Sequence, residues 1–168
     1  MGLSASKRVQ KSLRASPEFN SACDSTYAHC ISVAQHAFAG VKPYQLFSAA
    51  EHLHQTLSQS VPLVAKWVPR PPDRAQVDRA LKTVLSRRSV RDEEITLDEV
   101  EFKEFAAELF ADAVASGAGR EVLKRMPLGV AGIAGFGVVV KPGKEIVVAA
   151  IGAYALGVAT SIYLSLDG

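Results

Sequence analysis

Residues 146–166 read IVVAAIGAYALGVATSIYLSL, and this stretch of 21 residues contains no charged side chain. A helix needs about 20 predominantly apolar residues to cross the hydrocarbon core of a bilayer. The small residues Gly152 and Gly157 would let another helix approach closely, as pairs of membrane helices require. Lys141 and Lys144 precede the stretch, on the side that the positive-inside rule assigns to the cytoplasm. The pattern therefore predicts a membrane-spanning helix at residues 146–166.

A shorter apolar run, residues 128–140, precedes this stretch and is rich in glycine. It is too short to span a bilayer, which favours an interfacial helix or one half of a helical hairpin. Two alternatives place residues 127–168 outside the membrane. In the first, Pro142 and Gly143 form a type II turn between two β-strands. In the second, a Gly- and Ala-rich helix is buried in a larger soluble complex.

The chain begins with MGLSASKR, which matches the N-myristoylation signal M-G-x-x-x-[ST] with Gly2 as the acceptor. One myristoyl chain binds membranes only marginally, so stable attachment needs a second signal. Basic residues that precede the first acidic residue would supply it by attracting anionic lipids. These residues are Lys7, Arg8, Lys11 and Arg14. Residues 1–15 are thus predicted to be a lipidated basic segment at the cytosolic face of a eukaryotic plasma membrane or endomembrane; the alternative is an ordinary disordered N terminus.

Residues 16–126 are predicted to form a small four-helix domain. Ser16, Pro17 and Glu18 are typical of a helix start. Apolar spacing then predicts helices over residues 17–39, 43–59, 73–86 and from Thr96 to about Ser116. Thr96 and Glu99 match a capping box, and Gly117 is predicted to end the fourth helix.

Two further features of this domain are predicted from the same spacing. The fourth helix should have an apolar core face at Phe102, Phe105, Leu109, Ala113 and Val114, and a solvent face at Glu101, Glu104, Glu108 and Asp112. The proline-rich stretch 61–72 should be an extended linker, because its prolines exclude a regular helix. Its apolar residues would pack on the domain; a peptide-recognition motif is the alternative.

The segment at residues 77–110 resembles an EF-hand, with an amphipathic helix, a polar loop and an acid near the loop's last ligand position. Residues 17–59 resemble a partner hand in outline. The resemblance implies a paired helix–loop–helix fold and candidate calcium ligands at Asp92, Glu94 and Glu99. Leading loop ligands are missing, since counting back from Glu99 puts Arg88 first, and counting from Glu101 puts Val90 first. We therefore expect a degenerate EF-hand-like scaffold without calcium; a plain four-helix domain is the alternative.

Other residues that commonly bind metals or perform catalysis lack supporting patterns. The four histidines, His29, His36, His52 and His54, do not have the spacings that zinc sites use. Cys30 lies near His29 and His36 without an identifiable oxyanion donor. The net charge of +2 gives no indication of nucleic-acid binding. Neither a metal, nor another cofactor, nor an enzymatic activity is predicted.

Together these patterns predict a mainly α protein made of a small four-helix domain followed by a Gly- and Ala-rich C-terminal helix or helical hairpin. The predicted function is a non-enzymatic, membrane-anchored adaptor or accessory subunit. It would bind membrane lipids and recruit or stabilise protein partners at the cytosolic face. The alternatives are a calcium-responsive regulator and a soluble structural subunit of a larger complex.

Overall fold

The computed structural model describes the backbone of residues 2–88, 95–140 and 144–166, and side chains at 5–88, 95–124, 148–162 and 164–166. This part of the chain is mainly helical, which confirms the prediction of a mainly α protein. It divides into two compact units, Met1–Ala115 and Ser116–Asp167. The helices are α1 (Gly2–Ala15), α2 (Pro17–Val33), a 3-10 helix (Pro43–Gln45), α3 (Leu46–Ser60), α4 (Pro62–Trp67), α5 (Arg74–Ser86), α6 (Glu99–Val140) and α7 (Lys144–Leu164).

The N-terminal segment forms a helix that the sequence analysis did not assign. Val9 and Leu13 lie one turn apart on α1, and both side chains are buried. The Gln10 side-chain amide donates a hydrogen bond of 3.0 Å to Glu108 on α6. Residues 2–15 are thus part of the first unit rather than a disordered extension.

Helix α2 begins as predicted and ends six residues early. The Ser16 hydroxyl accepts a hydrogen bond from the Phe19 backbone N–H at 3.2 Å, which caps the helix. At the other end, Gln35 and His36 have φ angles of 50° and 56°. This left-handed backbone cannot continue a right-handed helix, so α2 ends at Val33 instead of near residue 39.

The connection at residues 61–72 contains a short helix, so the prediction that its prolines exclude one is wrong. Pro62 occupies the first turn of α4, where its missing N–H has no helical partner to lose. Leu63, Val64 and Trp67 on this helix are buried. The connection therefore packs its apolar side chains on the first unit, as expected for the linker interpretation.

Helix α5 matches its prediction, but α6 differs from its prediction at both ends. Its cap is Asp98 rather than Thr96, because the Asp98 carboxylate accepts the Glu101 N–H at 2.8 Å. The Glu101 carboxylate accepts the Asp98 N–H in return, at 3.2 Å. Gly117 does not end the helix, since α6 continues to Val140. A glycine costs only about 1 kcal/mol within a helix, which the surrounding helix-forming residues offset.

The core face predicted for α6 is confirmed, whereas its solvent face is only partly correct. All five predicted core side chains are buried, and the Phe102 and Phe105 ring centroids lie 6.2 Å apart. All four acids predicted for the solvent face are half-buried, and two of them, Glu101 and Glu108, are bound to arginines on the chain segment ending α5. These acids consequently help to hold α6 in place instead of only contacting water.

The C-terminal unit is helical, whereas the sequence analysis left a β-hairpin as an alternative. Val138–Val140 belong to α6, and α7 begins at Lys144. Residues 141–143 lie outside the described residues, so the helical hairpin stays a prediction. Within the described chain, no helix combines the length and apolar character that crossing a membrane requires. The predicted span at residues 146–166 thus has no support there; Ile146, Val147 and Tyr163 are not among its described side chains.

Candidate functional site

Two helix–loop–helix segments of the first unit meet at a backbone bridge. Val41, between α2 and α3, and Leu97, between α5 and α6, exchange N–H to carbonyl hydrogen bonds of 2.8 and 2.9 Å. Four residues beyond each bridge residue lies a side chain that caps the next helix. Gln45 accepts the Lys42 N–H at 3.0 Å, and Glu101 accepts the Asp98 N–H. Gln45 and Glu101 thus hold equivalent positions in the two segments.

The carboxylate of Glu101 is bound by an arginine on the far side of its loop. Arg88 donates from Nε and Nη2 to the two carboxylate oxygens of Glu101. Its Nη2 also donates to the backbone carbonyl of Thr96. The side chains of Arg88 and Glu101 are only 19% and 22% exposed. Hydrogen bonding from Arg88 lowers the pKa of the Glu101 carboxyl from its usual value.

Of the three acids proposed as calcium ligands, Glu99 alone lies among the described residues. Glu99 pairs with Lys103 at 3.2 Å, and Lys103 also contacts Asp24 at 2.5 Å. Hydrogen bonding to Asp24, and then to Glu99, raises the pKa of Lys103. Asp92 and Glu94 lie outside the described residues. Among the described His, Cys, Asp and Glu residues, none form a group of three or more that could hold a metal ion.

Helix α1 presents three of the predicted basic residues on one face. Lys7, Lys11 and Arg14 are spaced by four and three residues, so they project from the same side of the helix. All three are exposed, while Val9 and Leu13 on the other side are buried. We call these three residues the basic face of α1. Arg8 is half-buried and lies away from this face, so it is not included.

Gly2, the predicted lipid acceptor, begins the same helix. The basic face starts five residues later, at Lys7, and continues to Arg14 near the end of α1. The packed side of α1 keeps this face turned away from the core of the first unit. Lys7, Lys11 and Arg14 therefore share one exposed face, whereas Gly2 lies at the start of the helix on the side that carries Val9 and Leu13.

The four histidines do not cluster: two of them stack on each other, and the other two lie apart. The rings of His29 and His52 stack with centroids 5.3 Å apart, and His52 Nδ1 lies 3.1 Å from the Thr26 hydroxyl. His54 donates its Nε2–H to the Val68 carbonyl at 2.7 Å. His36 is exposed in the turn that ends α2. These positions do not bring the four histidines to a common metal ion.

A groove of about 310 Å³ lies between α2 and α3. The stacked His29 and His52 form part of its wall, together with Cys30. Val33 and Tyr44 line the groove while 66% and 72% exposed, respectively. The groove is therefore open to solvent, with two accessible side chains, Val33 and Tyr44, on its wall.

The two cysteines are poorly suited to nucleophilic chemistry. Both are free thiols and both are buried. Burial, with a smaller contribution from Asp24, raises the pKa of Cys23 to about 12. Burial also raises the pKa of Cys30. Because the thiolate is the nucleophile, a raised pKa leaves only a small fraction of each thiol in the reactive form at neutral pH.

Comparison of this chain with protein-family models, with curated proteins and with solved structures finds no match. Its function is therefore inferred from the residues above. The contacts of Arg88 with Glu101 and with the Thr96 carbonyl are the feature of this region that the sequence analysis did not predict. The helical spacing gave no signal for this contact, because Arg88 precedes Glu101 by 13 residues, across the loop.

Proposed function

We propose that this protein is a non-enzymatic, mainly helical docking protein that is held at the cytosolic face of a membrane through α1. Its first unit would recruit or stabilise partner proteins there. The observation that carries the proposal is the basic face of α1, three exposed cations on the helix that begins at the predicted acceptor Gly2. Two weak membrane signals would thus act from one helix.

The physical basis is the addition of lipid insertion and charge attraction. A single myristoyl chain gives only marginal, reversible membrane binding. Each lysine or arginine near an anionic membrane surface adds about 1 kcal/mol. Lys7, Lys11 and Arg14 would together supply the second signal that stable attachment needs. Because Val9, Leu13 and Gln10 tie α1 to the rest of the unit, the basic face belongs to a fixed surface.

The rest of the first unit suits a scaffold for protein contacts. We interpret the two bridged helix–loop–helix segments as a degenerate EF-hand-like pair, in which Val41 and Leu97 join the loops. The groove between α2 and α3, with exposed Val33 and Tyr44, is the surface proposed to receive a partner. The dispersed histidines and the raised pKa values of the cysteines are consistent with a role that does not involve catalysis.

The proposal is tested by sedimentation of the full chain with lipid vesicles, with and without myristate at Gly2. Binding should be stronger to vesicles that contain phosphatidylserine than to vesicles of phosphatidylcholine alone. Replacing Lys7, Lys11 and Arg14 with Glu should weaken binding to the anionic vesicles at least about tenfold, because three attractions become repulsions. Added salt should also weaken binding to the anionic vesicles, because it screens the attraction between charges.

The matched control reverses three exposed charges elsewhere, Arg70→Glu, Lys82→Glu and Lys124→Glu, with the same change in net charge. This variant should retain most of the binding of the wild-type protein. Equal losses in the two triple variants would show that net charge, and not the basic face of α1, controls the interaction. No preference for anionic vesicles in either lipid state would contradict the proposal.

A further inference from the structure

We propose that α1 leaves its place on the first unit when the protein inserts its acyl chain into a membrane, so that the packed side of α1 becomes a second lipid-binding surface. The inference rests on the proposed function, since it requires an acyl chain on Gly2 and an anionic membrane. It adds a step that the basic face alone does not need. Docked α1 presents its basic face to a membrane, whereas released α1 also presents apolar side chains.

The spacing of Gly2, Val9 and Leu13 along α1 places them on one side of the helix. Val9 and Leu13 follow Gly2 by seven and eleven residues, which are close to two and three full turns. Lys11 follows Gly2 by nine residues, or about two and a half turns, and therefore projects from the opposite side. Because Val9 and Leu13 are buried, the side that begins at Gly2 faces the protein while the basic face points outward.

This arrangement separates the two membrane signals across the width of the helix. An α-helix with its side chains is about 10–12 Å in diameter. If the basic face of docked α1 lay on a membrane, an acyl chain on Gly2 would start at the far side of the helix. It would have to cross that distance before it entered the lipid, and each methylene group left outside the hydrocarbon weakens the attachment. Full insertion of the chain therefore favours release of α1.

Release would give α1 an orientation that is typical of helices at a membrane surface. Such helices bury their apolar side at the boundary between headgroups and acyl chains, and they carry lysine and arginine on the polar side. Val9 and Leu13 would enter this boundary beside the acyl chain. Long basic side chains reach the headgroups from the flanks of a helix, so Lys7 and Arg14 would keep their attraction to anionic lipids.

A polar contact in the middle of α1 would have to break in this step. Gln10 Nε2 donates to a carboxylate oxygen of Glu108 at 3.0 Å, and the same oxygen accepts a hydrogen bond from Arg87. The Gln10 contact is only partly buried, so water can replace it for both partners after release. Glu108 lies on α6 and outside the membrane-binding helix. Its substitution should therefore change how firmly α1 is docked without changing the residues that meet lipid.

The first test locks α1 to α6 in the full chain, with Gln10→Cys and Glu108→Cys joined by bismaleimidoethane. The native cysteines are buried, which protects them from the reagent. Sedimentation with vesicles that contain phosphatidylserine compares the linked and unlinked forms, with and without myristate on Gly2. Myristate should raise the affinity of the unlinked form at least about tenfold, and linking should remove most of that rise. Without myristate, binding occurs through the basic face and should not change on linking.

The second test alters docking without a cross-link and does not depend on folding of the cysteine pair. Glu108→Ala removes the acceptor of the Gln10 hydrogen bond. Its matched control, Glu104→Ala, removes the same charge from α6 one turn earlier. With myristate present, Glu108→Ala should bind the vesicles about two- to tenfold more tightly than Glu104→Ala, because less of the binding free energy is spent on undocking α1.

Three results would overturn the inference. They are an equal effect of myristate in the linked and unlinked forms, no effect of myritate in the unlinked form, and binding of Glu108→Ala no tighter than that of Glu104→Ala. If the unmyristoylated protein still prefers anionic vesicles, the basic face keeps its assigned role even when the inference fails. Failure of every form to bind anionic vesicles would contradict the proposed function and the inference together.

Discussion

Glu101 illustrates what the spacing of residues along α6 can and cannot predict. Its helical position places it beside the apolar stripe of Phe102 and Phe105, and the sequence pattern assigns it to the solvent face. The structure instead places both of its carboxylate oxygens against Arg88. A helical pattern reports which side of one helix is apolar, but it contains no information on which distant cation reaches the polar side. The partner of Glu101 therefore could not be identified from α6 alone.

We predict that Glu101 makes stability depend on pH in the acidic range. Arg88 lowers its folded pKa below the ordinary value of 4.5, so the ionised form is favoured by folding. Its contribution is therefore present above pH 4.5 and is lost as pH falls through the lower folded pKa. Urea unfolding at a series of pH values should show wild type more stable than Glu101→Gln near pH 7, with the difference shrinking below pH 4.5.

The exposed Glu51 of α3 provides the control for loss of one carboxylate. Glu51→Gln should leave the unfolding free energy near its wild-type value at neutral pH. A constant difference between wild type and Glu101→Gln across the acidic range would mean that the Arg88 contact does not stabilise the ionised carboxylate.

At the level of helices and loops, the sequence predicted which helices form better than it predicted the residues at which they begin and end. The cap at Ser16 and the apolar face of α6 depend on neighbouring residues, and both are confirmed. The end of α2 depends on Gln35 and His36 adopting left-handed backbone, which is unusual for residues other than glycine. The start of α6 required a choice between two possible caps, and Asp98 is the cap that leaves Glu101 accessible to Arg88.

The bridge between the loops leads to a prediction for Gly40. A Cβ atom at this position would collide with the Leu97 carbonyl oxygen and lie 2.9 Å from its carbon. Because these are backbone atoms, the Val41–Leu97 bridge would have to separate. We expect Gly40→Ala to lower the unfolding free energy by about 1–3 kcal/mol, as unmade hydrogen bonds and overpacking do. Chemical denaturation of the full chain measures this change.

Gly119 is the matched control, because it lies within α6 and a Cβ there would meet nothing within 4 Å. Gly119→Ala should raise stability by about 0.5–1 kcal/mol, since alanine favours an exposed helix interior more than glycine does. Similar stabilisation by the two substitutions would show that Gly40 does not press against Leu97.

For the whole molecule, the sequence analysis divides the chain into three regions, residues 1–15, 16–126 and 127–168, and the structure has two compact units that divide inside α6. The division falls after Ala115, whereas the sequence analysis placed the boundary at residue 126. Within the C-terminal unit, α7 exposes Val148, Leu156 and Leu164. Apolar composition predicted a helix at this end of the chain, but composition alone does not specify what surrounds it. The membrane proposal consequently depends on α1.

The most direct test of membrane docking through α1 is fractionation of eukaryotic cells that express the full chain. We predict that the wild-type protein is recovered with membranes and that its mature N terminus is myristoylated on Gly2. Gly2→Ala should move most of the protein to the supernatant, because the basic face alone provides only one of the two required signals. Recovery of Gly2→Ala with membranes at the wild-type level, or of the wild type in the supernatant, would contradict attachment through α1.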